Sequence, residues 1–241
     1  MRRKRWAVAP LIAVAALALL FFGAFTISRS RTFQFFGGIV NHVEANEKVV
    51  ALTFDDGPSE RTGEVLAALD AAGVKATFFL VGRSIEEFPD EAAAIAAAGH
   101  EIGNHSYSHQ RMVVKTPSFI SSEIEKTDSL IRAAGYSDEI QFRPPYGKKL
   151  LLLPWYLHNH NRKTILWDLE PNSIPEVNAS AESISKYVVE NAKPGSIILL
   201  HVMVDSEGSS VAAIKGIAKG LQAKGYTFVT VGELLRYNGG E

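Results

Sequence analysis

Two neighbouring carboxylates, Asp55 and Asp56, follow a run of apolar and β-branched residues at 49–54. Such a run is typical of a buried strand, and the Gly-Pro pair after the two acids ends it. Two acids at the end of a buried strand are unfavourable unless a metal or an arginine pairs with them. The same segment also fits an ordinary turn in which Ser59 caps the next helix. Asp55 and Asp56 alone therefore leave two interpretations open, a turn and a functional site.

Histidines that follow two later segments could complete such a site. His105 and His109 are four residues apart, so one helical turn would place both imidazoles on one face. With Asp56 they offer three nitrogen and oxygen ligands, which leaves a coordination position open, as in catalytic zinc sites. The chain has no cysteine, so any metal must be held by His, Asp or Glu. His201 ends another apolar run, either as a core histidine or as an acid–base group.

The motif Arg143-Pro144-Pro145-Tyr146-Gly147 is a further candidate. Two prolines fix the backbone and remove two N–H donors, which by itself predicts only a rigid loop. In the functional interpretation, Arg143 clamps a carboxylate and the Tyr146 N–H points into the site.

Strand and helix signals alternate along the chain from residue 49. The predicted strands cover 49–55, 76–81, 101–105, 140–143, 164–169, 196–202 and 226–231. The predicted helices cover 61–72, 89–98, 117–134, 149–161, 181–191 and 211–223, and four of them end at a glycine suited to a C-cap. This alternation predicts an α/β fold of parallel strands with crossover helices, closed like a barrel. Each chemical candidate lies at the carboxyl end of a predicted strand, where barrel active sites are found.

The N-terminal region predicts a membrane anchor. Residues 1–5 are basic, and residues 6–25 form an apolar stretch that would span about 30 Å as a helix. The basic flank predicts a single-pass anchor in the cell membrane with the rest on the extracytoplasmic side; the alternative is a cleaved signal peptide and secretion. We expect an anchor at 1–27, a connector at 28–47 and a catalytic domain at 48–241. The net charge of −1 and the lack of a nucleotide-binding fingerprint predict neither nucleic acid nor a nucleotide cofactor as a partner.

Four motifs together carry a family resemblance: Thr53-Phe54-Asp55-Asp56-Gly57, His105-Ser106-x-x-His109, Arg143-Pro144-Pro145-Tyr146-Gly147 and Leu199-x-His201. From about Glu47 to Tyr237 the chain resembles the polysaccharide deacetylases (the NodB-homology domain, carbohydrate esterase family 4). The resemblance implies a distorted (β/α)7 barrel of mostly parallel strands. It also implies metal-dependent removal of N-acetyl groups from an acetylated polysaccharide containing N-acetylglucosamine, namely peptidoglycan, exopolysaccharide or chitin-type oligomers.

The resemblance also implies roles for the catalytic and metal-binding residues. Asp55 would be the general base and His201 the general acid. Asp56, His105 and His109 would hold a divalent metal, most often zinc, with cobalt, manganese or nickel as alternatives.

Four further residues are expected to bind or position the substrate. Arg143 would position Asp55, and Pro144 belongs to the same motif. Tyr146 would lend its backbone N–H to the oxyanion, and Leu199 would line the space for the acetyl methyl group.

One family motif departs from its usual form. Where the family has Asp-x-x-Asp-Trp, this chain has Ser173 at the second acid and Ile174 at the tryptophan. Without a carboxylate partner, the protonated form of His201 is less favoured. Our hypothesis is that Asp168 or Glu170 substitutes, or that the acid step is weaker.

Two alternative functions remain open on the sequence. An O-acetyl esterase acting on sugars would use the same site and would need no protonated amine leaving group. A non-catalytic glycan-binding domain would account for the altered motif but not for an intact base and ligand set. Four other histidines are predicted to lie on a solvated surface: His42, His100, His158 and His160.

Overall fold

The structure is a computed structural model that describes residues 2–205 and 208–237. Met1 of the predicted anchor, and residues 206–207 and 238–241 of the predicted catalytic domain, lie outside the described residues. The strands are Ile39–Val40 (β1), Val49–Gly57 (β2), Thr77–Leu80 (β3), Glu101–Asn104 (β4), Thr164–Ile165 (β5), Ile197–Leu200 (β6) and Thr227–Phe228 (β7). The α-helices are Arg2–Arg29 (α1), Thr62–Ala72 (α2), Gly82–Glu87 (α3), Pro89–Ala97 (α4), Pro117–Ala133 (α5), Leu152–Asn159 (α6), Ala181–Asn191 (α7), Ser209–Ala223 (α8) and Val231–Leu234 (α9).

The strands form a closed and distorted ring of mostly parallel pairs. Strands β4, β3, β2 and β6 are neighbours in that order, and β7 pairs with the start of β2. Single parallel bridges close the gap, from Phe142 to Asn104 and Thr164 and from Leu169 to Ile198. The segment from β5 to Leu169 thus connects the β4 side of the ring with β6. Because these pairs are parallel, the carboxyl ends of the strands meet at one rim.

Three of the predicted strands are much shorter than expected. Within 164–169 only β5 is a strand, followed by a single bridge at Leu169. Within 140–143 only Phe142 forms bridges, because Pro144 follows at once and has no N–H with which to continue the ladder. Within 226–231 only β7 is a strand. Helix α9 begins at Val231, and Thr230 and Glu233 close its first turn with a capping box.

The expected cap at Ser59 is wrong. The N-cap of α2 is Arg61, and the Ser59 hydroxyl donates to the Met203 carbonyl oxygen at 3.2 Å. Ser59 therefore ties the loop after β2 to the loop after β6, on the rim where the candidate residues lie.

Helix α1 is long and apolar enough to cross a membrane. Its segment Ile12–Arg29 has a mean hydropathy of 2.0 and is 6% buried. A signal sequence near an N-terminus has the same properties, so the helix fits both an anchor and a signal sequence.

The segment after α1 packs on the barrel. Strand β1 pairs with β5 in parallel, and Val43 is buried at 1% exposure. Lys149 holds the end of α1, because its N–H donates to the Ser28 carbonyl at 3.2 Å and its amine to the Ser30 carbonyl.

Two of the four histidines predicted to lie on the surface are buried or partly buried. His100 is 5% exposed, and its Nδ1 accepts the Ala76 N–H at 3.3 Å. Burial lowers the pKa of His100 to about 4. His42 is partly buried with Nδ1 3.1 Å from Asp168 Oδ2. His158 and His160 are exposed, as predicted.

Candidate active site

A β-bulge at the end of β2 separates the two neighbouring carboxylates. Asp55 pairs with Phe79, and Gly57 pairs with the next residue of β3, so Asp56 is the extra residue of the bulge. Its backbone is left-handed, with a φ of 70°. The bulge lets the two side chains reach different partners, Asp55 an arginine and Asp56 a pair of histidines.

Asp55 is held by Arg143 inside the barrel. The Nη1 of Arg143 donates to Asp55 Oδ1 at 2.7 Å and to Thr53 Oγ1 at 2.9 Å, and its Nη2 donates to the Leu166 carbonyl at 3.1 Å. The guanidinium is fully buried and lies 4.0 Å from the centre of the Phe79 ring. Burial lowers the pKa of Arg143, and the negative charge of Asp55 opposes that shift. Arg143 is therefore placed to fix the orientation of Asp55.

Asp56, His105 and His109 form a ligand cluster. One donor atom from each lies within 4.8 Å of the others. Asp56 Oδ1 is 3.0 Å from His109 Nε2 and 3.7 Å from His105 Nε2. Oδ1 is nevertheless buried without a well-directed hydrogen bond, which is the condition of a carboxylate oxygen that a cation would satisfy. The donor set fits a divalent metal such as zinc.

The electrostatic environment favours an ionised Asp56 and a neutral His105, the forms in which these side chains can bind a metal. Burial raises the pKa of Asp56, but contact with His109 and the charges that the histidines carry when protonated lower it to about 2. Burial lowers the pKa of His105 and keeps its imidazole neutral. The His105 Nδ1 lies 2.7 Å from the Arg143 carbonyl, which can only accept, so the Nε2 lone pair is free for a ligand.

The predicted helical turn between the two histidines is wrong. After β4 the chain forms a loop in which Ser106 and His109 are left-handed, with φ of 67° and 55°. Asn104 Oδ1 accepts the Ser106 N–H at 2.8 Å, and Glu123 accepts both the N–H and the hydroxyl of Ser108 at 2.8 Å. Side chains rather than a helix therefore bring the histidines together, and the sequence analysis missed Asn104 and Glu123. The signal for Glu123 was a carboxylate on the apolar face of α5.

Six of the nine predicted site residues line one cavity of about 430 Å³. The lining residues are Arg29, Arg31, Asp55, Asp56, His105, His109, Tyr146, Gly147, Lys148, Trp167, Glu170, Ser173 and His201. Tyr146 has a left-handed backbone with φ 58°, and its ring lies 4.7 Å from that of His109. Arg143, Pro144 and Leu199 are buried and do not line the cavity, so direct contact of these three with a substrate stays a prediction.

The hypothesis that Asp168 partners His201 does not agree with the structure. Asp168 Oδ2 accepts the Ser196 hydroxyl at 2.7 Å and faces His42, and Oδ1 accepts the Ile197 N–H at 2.8 Å. Asp168 therefore links the segment that follows β5 to the start of β6.

Glu170 is also engaged elsewhere, although it shares the cavity with His201. Its Oε2 accepts from Trp167 Nε1 at 2.8 Å and from Arg31 at 2.9 Å. Among residues 2–205 and 208–237, no carboxylate forms an ion pair with the His201 ring. Instead, Asn172 Oδ1 accepts the His201 backbone N–H at 3.1 Å.

The connector supplies two residues that the sequence analysis did not place in the site. Arg29 and Arg31 lie in the cavity wall because Lys149 binds the backbone on both sides of Arg29. No local pattern pointed to this, since the contact depends on residues more than a hundred positions apart.

Comparison with known proteins identifies the family. The model of the polysaccharide deacetylase family matches residues 42–165. A peptidoglycan-N-acetylglucosamine deacetylase of Bacillus cereus is 38% identical over 189 residues, which are 77% of this chain and 68% of that protein. The chain therefore belongs to the polysaccharide deacetylase family, whose enzymes are hydrolases.

Solved structures confirm the predicted fold class. The crystal structure of the Bc1960 peptidoglycan N-acetylglucosamine deacetylase matches with a TM-score of 0.75 at 35% identity, over 80% of this chain and 91% of that one. A CE4 family pseudoenzyme from Bacillus anthracis matches with a TM-score of 0.72 at 29% identity, over 81% and 68%. The fold is thus shared with an enzyme and with a pseudoenzyme, so function must be argued from the site.

Proposed function

We propose that this chain is a metal-dependent hydrolase that removes N-acetyl groups from the N-acetylglucosamine residues of peptidoglycan. The observation that carries the proposal is the placement of the Asp56, His105 and His109 cluster beside an arginine-held Asp55 in one cavity. The relative from Bacillus cereus is named for the same substrate. An exopolysaccharide or a chitin-type oligomer presents the same acetamido group and is the other substrate class to test.

Asp55 is the proposed general base. Arg143 holds Oδ1, which leaves Oδ2, 3.6 Å from His105 Nε2, to accept the proton of the attacking water. When bound, a divalent metal supplies a Lewis acid that polarises the amide carbonyl and makes water a better nucleophile. Asp56, His105 and His109 would hold it. The Tyr146 N–H would donate to the developing oxyanion.

His201 is the proposed general acid that protonates the leaving amine. It lies in the same cavity as Asp55, on the loop after β6, and Asn172 fixes its backbone. An amine leaves poorly without a proton, so this step needs a protonated imidazole. Because Ser173 stands where the family motif has an acid, the protonated His201 ring lacks one negative charge that would stabilise it.

We also propose that α1 anchors the enzyme in the cell membrane with the barrel on the extracytoplasmic side. The exposed apolar helix supports this location. Phe33, Phe35 and Phe36 follow it and are also exposed, between 39% and 49%, as aromatic residues at a membrane surface are. Secretion after cleavage is the alternative, and the mass of the mature protein in membrane and medium fractions distinguishes the two.

A glycan-binding domain with little catalysis is the second candidate function. Two observations favour it: Ser173 replaces an acid of the family motif, and a pseudoenzyme shares the fold. The cost of keeping Asp55 charged and buried beside Arg143 argues against it, because a binding domain does not need that pair.

The test is acetate release by the full chain after chelation, with and without added zinc or cobalt. The substrates are peptidoglycan, N-acetylglucosamine oligomers and O-acetylated xylan. Metal-dependent release from the first two, lost in Asp55→Ala, supports the proposal. Preference for xylan would favour an esterase, and binding without any release would favour the glycan-binding domain.

A further inference from the structure

Three cationic side chains lie in the wall of the cavity or beside it. We call Arg29, Lys148 and Arg111 the basic rim. Arg29 and Lys148 line the cavity together with Asp56 and His109. The guanidinium of Arg111 lies 5.0 Å from the centre of the Tyr146 ring, and that ring lies 4.7 Å from the His109 ring at an interplanar angle of 47°. One side chain, that of Tyr146, therefore lies between Arg111 and His109.

The basic rim has no carboxylate partner among the described residues, where none of its three side chains forms an ion pair. The neighbouring Arg31 differs, because it pairs with Glu170 at 2.9 Å. Burial and the like charges of Arg29 and Arg111 lower the pKa of Lys148, so Lys148 is close enough to both arginines to be repelled by them. A bound anion would relieve this repulsion.

Arg29 is held in this position by the barrel. Lys149 is 1% exposed, and its backbone N–H and amine bind the carbonyls of Ser28 and Ser30, on either side of Arg29. A lysine amine is rarely buried against a backbone carbonyl unless the position of that backbone matters. The end of α1 is thus a fixed wall of the cavity.

We propose that the basic rim binds a carboxylate carried by the glycan next to the acetylated sugar. This inference rests on the proposed deacetylase function and selects among its substrates. Peptidoglycan carries carboxylates on its peptide stems, and on the lactyl ether wherever a stem has been removed, whereas chitin-type oligomers carry none. Guanidinium groups bind carboxylates with two parallel hydrogen bonds, and a lysine adds a point charge. The rim therefore makes the enzyme selective for the charged glycan.

The test compares one peptidoglycan fragment with the same fragment after its carboxylates are converted to amides. The full chain in a neutral detergent, loaded with zinc, gives kcat/KM for both. We expect the charged fragment to be preferred. Arg29→Gln, Lys148→Gln and Arg111→Gln should each lower the preference about fivefold, mainly through KM, and added salt should lower it too. Arg236→Gln, an exposed arginine remote from this cavity, is the matched control and should leave the preference unchanged.

Several outcomes would overturn the proposal. Equal kcat/KM for the two fragments, or equal effects of the rim variants and Arg236→Gln, would show that the rim does not read a carboxylate. If the wild type releases no acetate from either fragment, the proposed function fails. Binding of the two fragments to the metal-free chain then tests the rim independently, with the same expected preference.

A phospholipid headgroup is the other source of an anion near the end of α1. The enzyme is therefore also assayed in nanodiscs of zwitterionic lipid and of lipid with a negative headgroup. If the rim variants change activity only in the anionic nanodiscs and leave the fragment preference in detergent intact, the rim binds lipid and the proposal is wrong.

Discussion

Replacing Arg143 with methionine removes the only guanidinium that contacts Asp55 among the described residues. Asp55 is 3% exposed and Arg143 fully buried, so the substitution leaves a carboxylate without its partner in the barrel. Methionine still fills much of the space beside Phe79, so packing changes less than charge. We expect loss of stability and loss of activity together.

The magnitude follows from the burial of the pair. Breaking a buried ion pair by removing one partner costs about 3–5 kcal/mol. For a domain of this size, about 1 kcal/mol shifts Tm by about 2–4 °C, so we expect a fall of about 6–20 °C. The Thr53 hydroxyl and the Leu166 carbonyl also lose a hydrogen-bond donor. We therefore expect a stability cost above the lower end of that range.

The assay is thermal and urea unfolding of the full chain in detergent with a chelator, so that metal binding does not contribute. Arg143→Met, Asp55→Asn and the double variant complete a cycle. Because Asp55→Asn removes the unpaired charge, the double variant should be more stable than the sum of the single changes by at least about 2 kcal/mol. A cost of Arg143→Met below about 1 kcal/mol, or strict additivity, would refute the assignment of Arg143 as the group that stabilises Asp55.

Three further predictions concern groups around the site. His100 has a pKa of about 4 against an ordinary 6.5, so unfolding takes up a proton and stability falls as pH falls from about 6.5 towards 4; His100→Gln should flatten Tm over that interval, and an unchanged slope would contradict this. Lys149→Met should release the segment after α1, measured as faster trypsin cleavage at Arg29 and Arg31; an unchanged rate would show that Lys149 does not hold it. Ser173→Asp should raise kcat about tenfold by placing a negative charge in the cavity with His201, the proposed general acid; a lower kcat would mean that the cavity is adapted to serine.

Chemistry at strand ends could be predicted from the sequence because it depends on local order. The run before Asp55 and the histidine pair after β4 each follow a strand, and parallel strands bring their carboxyl ends to one rim. The periodicity of the helices was equally local, and the bounds of α7 agree with those predicted. The family resemblance added residue roles that no spacing could give.

The missed features depend on long-range contacts. Glu123 contacts the histidine loop from α5, and Lys149 contacts the segment after α1. The position of neither residue in the sequence indicates which segment it contacts. Burial of His100 was also missed, because whether a single histidine is covered depends on which segments pack over it. The helical turn expected between His105 and His109 failed because left-handed residues, which spacing does not reveal, shape that loop.

The central claim is that two adjacent carboxylates divide the work, Asp56 as a metal ligand and Asp55 as the base. The most direct test measures bound zinc and acetate release from peptidoglycan for Asp55→Asn and Asp56→Asn, using the full chain after chelation and zinc titration. The account predicts that Asp55→Asn keeps about one zinc per chain but releases no acetate, since the ligand cluster is intact and the base is gone. Asp56→Asn should lose tight zinc binding and, with it, activity. Tight zinc binding and full activity in Asp56→Asn, or activity in Asp55→Asn close to that of the wild type, would contradict the claim.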